Sequence, residues 1–136
     1  MQTLLRSMVV AAVLLLGHMA AAQQPTKQIE LTAAQIEAYL AAQPEIFVIQ
    51  KKILFGEISP KDPKMIADIT ALAKKHGLGL TEYNDVVVNL ILVFNRIDPN
   101  TKALKDEPVE PPIKYPGNVD LVIKYYDRIS SAFLGG

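Results

Sequence analysis

The chain contains no cysteine and no tryptophan, has only two histidines, and carries no surplus charge, with 14 lysines and arginines against 14 aspartates and glutamates in 136 residues. Each shortage removes a class of activity. Without cysteine there is no thiol nucleophile, no redox exchange, no disulfide framework and no lipid-attachment cysteine of a bacterial lipoprotein. Zinc draws several ligands from His and Cys, and His76, the one histidine beyond the N-terminal leader, cannot supply two. Balanced charge offers neither the basic face that nucleic acid needs nor the basic amphipathic helix that an anionic membrane attracts, so no nucleic-acid partner is expected. Stability must come from packing alone.

The remaining chemistry is equally sparse. Beyond the leader the serines are Ser59, Ser130 and Ser131, and none stands in a glycine-flanked nucleophile elbow. Gly77 and Gly79 are not followed by the lysine-serine or lysine-threonine pair of a phosphate loop. A calcium loop counted from Asp98 places Asn100 well, but Lys102, Ala103 and Val109 fall where an oxygen ligand, a glycine and a glutamate are needed. No catalytic residue, metal or cofactor is expected. Glu82 and Asp85, three apart on one helical face, are the best acid-base pair available, and an enzyme built on them ranks below a solvated face.

What is present begins with an address. Arg6, the apolar run Met8 to Leu16, and Ala20-Ala21-Ala22 match the three parts of a secretory signal peptide, residues 1–22, with cleavage after Ala22. The run is too short to span a bilayer, so a free periplasmic or secreted protein with no remaining membrane span is expected. Removal of 22 of the 136 residues leaves 114, enough for one core. Residues 23–30 are polar, include Pro25 and lack periodicity, which predicts a flexible lead-in to a domain over 31–136.

Helix signals then recur along the chain. Thr32 with Gln35 forms a capping box that starts a helix at Ala33, with Leu31 placed to staple onto Ile36. Pro44 removes a backbone donor and predicts a tight corner before a second helix, Glu45 to Leu54, closed by Gly56. Asp62-Pro63 starts another, and Gly77 ends it. From Val86 to Phe94 only Asn89 is polar, which predicts a central helix over Thr81–Arg96, with a buried strand as the rival for so β-branched a run. Four prolines make residues 105–117 an extended strap crossing between the central helix and the last one. Asn118 is the expected N-cap of that last helix, running to Leu134. The whole reads as an all-α domain of four to five helices.

Two clusters could carry binding. Asp85, Asn89 and Arg96 form a polar arc on the central helix; closed over by apolar cover, it could hold a small ligand, which makes a carrier of a small apolar ligand the alternative function. Pro111, Pro112 and Tyr115 of the strap, with Tyr125 of the last helix, present a preordered surface to an envelope protein. A non-enzymatic binding or structural protein is therefore expected. Its oligomeric state is not encoded in any pattern here.

Three stretches, LTAAQIEAYLAAQPEI (31–46), KHGLGLTEYNDVVVNLILVFNRIDPN (75–100) and PIKYPGNVDLVIKYYDRI (112–129), resemble a family of small uncharacterised exported proteins of alphaproteobacteria. The resemblance implies a Gram-negative envelope location and an all-helical domain. It brings no activity and no functional residues to carry over.

Overall fold

Capping chemistry sets where the first two helices begin. A computed structural model describes residues 27–108 and 110–134; the expected signal peptide and residues 23–26 lie outside the described residues. The Thr32 hydroxyl accepts from the Gln35 amide at 3.1 Å, and Gln35 Oε1 accepts from the Thr32 amide at 3.0 Å, so the capping box closes and opens α1, Ala33–Leu54. Asp62 Oδ1 accepts from the Lys64 amide at 2.9 Å and starts α2, Pro63–Lys75. Both helices end in Schellman turns on left-handed glycines, Gly56 (φ 72°) and Gly77 (φ 89°). After Gly77 come α3, Leu80–Phe94, then α4, Gly117–Lys124, and α5, Tyr126–Phe133. The described residues hold five helices and one isolated antiparallel bridge, Ile97 with Leu104, in a single small all-α domain.

Three expectations are corrected. The corner at Pro44 does not form: α1 runs through it as one helix of 22 residues. Ile36, Tyr39, Ala42, Gln43, Ile46 and Gln50 make one buried stripe across the proline, while Pro44 itself is exposed. Burying large apolar side chains at about 1.5–3 kcal/mol each offsets the roughly 3 kcal/mol that an interior proline costs. Next, the last helix is two helices that break at Tyr125, and Asn118 is not its cap, since Pro116 holds that position. The break lets α4 keep Val122 and Asn118 inward against α3 while α5 turns Tyr126, Ile129 and Phe133 into the core. Finally, the lead-in is docked from Lys27 onward, by the hydrogen bonds described in the next section.

The apolar run of α3 is a helix and not a strand. It packs on α1, α2 and α4 and buries eight of its fifteen residues. At its C-terminal end Phe94 stacks on Tyr126 (centroids 4.6 Å, planes 17° apart) and meets Phe133 edge-on at 5.1 Å. Phe133 reaches on to Tyr39 of α1 at 6.4 Å, so one aromatic chain ties α1, α3 and α5 together.

A small polar island lies inside this core. The Tyr83 hydroxyl donates to Gln43 Oε1 at 2.8 Å, and Gln43 Nε2 donates to Gln50 Oε1 at 3.2 Å. Burial pushes both the Tyr39 and Tyr83 hydroxyls well above the ordinary tyrosine value. Tyr39 Oη has no partner among the described residues. Removing an unpaired buried hydroxyl is close to neutral, whereas removing a paired one strands its acceptor. Tyr39→Phe is therefore expected to leave the unfolding midpoint unchanged or slightly raised, and Tyr83→Phe to lower stability by about 1–2 kcal/mol, read by urea titration. Equal losses in the two variants would contradict the assignment.

Candidate functional site

The polar arc of α3 binds the chain's own extended segments. Asn89 is 1% exposed, and its amide is fully used: Oδ1 accepts from the Ile29 amide at 3.0 Å, while Nδ2 donates to the Lys27 and Asp85 carbonyls at 2.8 Å each. Asn118 repeats the device from α4, accepting from the Leu31 amide at 2.8 Å and donating to the Ile29 carbonyl at 2.8 Å. Two side-chain amides thus read alternate backbone groups of one extended strand, as a neighbouring β-strand would. Leu31 and Ile29 follow that strand into and against the core.

The strap is fastened to the same strand. Gln28 donates through Nε2 to the Pro112 carbonyl at 2.8 Å and accepts at Oε1 from the Lys114 amide at 2.7 Å. Arg96, the last member of the arc, donates through Nη1 to the Leu92 carbonyl and through Nη2 to the Glu110 and Pro111 carbonyls at 2.8 and 3.2 Å. Asp85 pairs with Lys27 at 3.4 Å. Asp85 and Asn89 thus bond to Lys27 and Ile29, and Arg96, two turns further along α3, bonds to Glu110 and Pro111. Glu82 accepts from Gln35 Nε2 at 3.3 Å, tying the starts of α1 and α3.

The predicted partner contacts separate into two places. Pro111 and Pro112 are exposed and Tyr115 is half-buried, all on the strap held by Arg96 and Gln28, with Lys114 Nζ 5.4 Å from the Tyr115 ring. Tyr125 is half-buried at the α4–α5 break, where Arg128 lies 5.5 Å from its ring. Arg128 grips Glu37 of α1 with two bonds of 2.7 and 2.8 Å. Desolvation by burial, and then the neighbouring Glu37 carboxylate, raise the Tyr125 hydroxyl above its ordinary value. A surface recess of about 360 Å³ opens between α1 and α5, lined by Leu40, Pro44, Asp127, Arg128, Ser131 and Ala132. Asn118 is the functional side chain that the sequence reading misplaced: the Gly-Asn pair after a proline gave an N-cap signal, and the partner strand is 87 residues away.

Three surface carboxylates sit below their ordinary values, Glu37 through its hydrogen bonds to Arg128, Glu45 through His76 and Lys75 (2.9 Å each), and Asp98 through the Thr101 and Asn100 amides. A carboxylate whose folded value is depressed adds stability above its unfolded value, 4.5 for glutamate, and loses it as pH falls through the folded value. The melting temperature is thus expected to fall with pH below 4.5, and Glu37→Gln to narrow the gap from wild type as acid is added. Parallel curves for the two proteins would disprove the Glu37 contribution.

No single helix among the described residues is long and apolar enough to cross a membrane; α2 and α3 together reach that length and composition, but they bend by 82° at the turn between them. The geometry defines a small all-helical domain with its N-terminal segment and a proline-containing strap fastened to it. Searches of protein-family models, curated proteins and solved structures return no match to the chain.

Proposed function

We propose that this is an exported, non-enzymatic binding protein of the bacterial envelope that acts through protein contacts, with the strap as its working surface and the last helices beside it. One observation carries the reading: Arg96 and Gln28 hold residues 110–114 by their backbone in a fixed path that bends at 110, 111 and 114 where an extended strap is expected, and this leaves Pro111 and Pro112 outward. A segment that is already ordered loses little entropy when a partner docks on it. Export rests on the leader built from Arg6, Met8 to Leu16 and Ala20 to Ala22. The Gram-negative setting rests on the resemblance in residues 31–46, 75–100 and 112–129. The non-enzymatic part rests on the scarcity of nucleophiles and on the structural occupation of Glu82 and Asp85.

Crosslinking in intact envelopes tests this. Wild type is expected to capture a specific protein that is lost when Pro111, Pro112 and Tyr115 are replaced by alanine. Recovery of the same abundant outer-membrane proteins by wild type and variant would overturn it.

A further inference from the structure

The C-terminal half of α1 buries Ile46 and packs Ile49 and Ile53 on the core, yet it also sends one polar residue inward and apolar ones outward. Gln50, its one uncharged polar residue after Glu45, is 1% exposed, while Val48 (51%), Leu54 (38%) and Phe55 (76%) face outward. Three of the five exposed large apolar side chains among the described residues thus fall within eight positions. At 3.6 residues per turn, Leu54, Phe47, Lys51, Phe55, Val48 and Lys52 follow one another around an arc of about 160°. Apolar groups and lysines alternate across it, and Lys51 Nζ lies 5.3 Å from the Phe47 ring. The sequence hides this arc, because Pro44 predicts a corner within α1 and nothing local sends Gln50 inward.

We propose that this arc is a peripheral docking surface for an anionic phospholipid bilayer. Phe55, at the end of a helix beside a turn, is placed to enter the headgroup boundary, with Val48 and Leu54 following. Lys51 and Lys52 flank it with stems long enough to lie along the apolar surface while their ammonium groups reach lipid phosphates. Charge complementarity chooses this occupant. Glu45, at the rim of the arc, pairs with Lys75 and is hydrogen-bonded to His76, and Asp68 pairs with Lys64, which leaves Glu57 and Asp62 as the acids near Lys52 with no cation partner among the described residues. A second copy packed face to face would gather four lysine ammonium groups into one apolar contact, which disfavours a symmetric dimer. This surface involves neither the strap nor its partner, and only the use of the processed chain rests on the export reading above.

The test uses processed protein, because residues 8–16 would themselves enter lipid. The chain has no tryptophan, so Phe55→Trp installs a single reporter. Its emission is expected to shift to the blue with phosphatidylglycerol-phosphatidylethanolamine vesicles and to stay unchanged with pure phosphatidylcholine. In sedimentation with the anionic vesicles, Phe55→Ser is expected to weaken binding about tenfold, and Lys51→Gln and Lys52→Gln about fivefold each, with wild-type binding weakening in salt. All three positions are exposed, and unchanged circular dichroism will confirm folding. An unshifted reporter, or equal sedimentation of wild type and variants, would overturn the proposal. So would a concentration-dependent dimer broken by Phe55→Ser, which would assign the face to a second copy.

Discussion

Asn118→Ala is expected to lower the unfolding free energy by about 2–4 kcal/mol, a large loss for the removal of three heavy atoms. The reason is what remains behind. The Leu31 amide is buried and has Asn118 Oδ1 as its acceptor at 2.8 Å; the Ile29 carbonyl loses its donor in the same step. A stranded buried backbone group costs about 1–3 kcal/mol, far more than the net worth of the bond that satisfied it. Asn118→Asp separates the two groups, since it keeps the acceptor for Leu31 but offers the Ile29 carbonyl no donor. Asn89→Ala strands the Ile29 amide and the Lys27 carbonyl and is expected to cost about as much, though the double variant will fall short of the sum because both side chains hold one strand. Urea denaturation gives the free energies, and amide exchange at Leu31 and Ile29 shows where protection is lost. Unchanged exchange at Leu31 in Asn118→Ala would refute the role assigned to that side chain.

Phe94→Ala is expected to cost about 3–5 kcal/mol. Phe94 is the hinge of the aromatic chain, stacked on Tyr126 and edge-on to Phe133, so truncation opens a cavity where α3 supports the C-terminal helices. Lys102 Nζ, 3.8 Å from the outer face of Tyr126, cannot move inward to fill it. Phe94→Leu restores most of the volume without the ring geometry and is expected to recover more than half of the loss. The measurement is again the denaturation midpoint. A loss below about 1 kcal/mol for Phe94→Ala would mean that α5 collapses onto α3 without strain.

Local signals were legible in the sequence wherever the physics is local. Thr32 with Gln35, Asp62 with Pro63, and Gly77 each act within four residues, and each does what its spacing predicts. Asp98 likewise accepts from the Asn100 and Thr101 amides, closing a turn within three residues. Pro44 failed as a signal because its penalty is local while the stripe that overrides it is buried by distant helices. The polar arc was found by its period, yet its ligand was not, because nothing local tells Asn89 that residues 27–29 will arrive from 60 positions upstream. Gln50 shows the same limit. An uncharged polar residue on an amphipathic pattern reads as exposed until a partner such as Gln43 is placed beside it.

The unbroken passage of α1 through Pro44 also fixes a distance. Its 22 residues at 1.5 Å rise make a rod about 33 Å long. One end abuts the strand and strap at residues 27–31 and 112–114, and the other carries Phe55 and its lysines. A protein held at the strap would therefore stand off a bilayer gripped by Phe55 by roughly the thickness of one domain. That spacing is set by a helix rather than by a linker, so changing it takes whole turns inserted into α1.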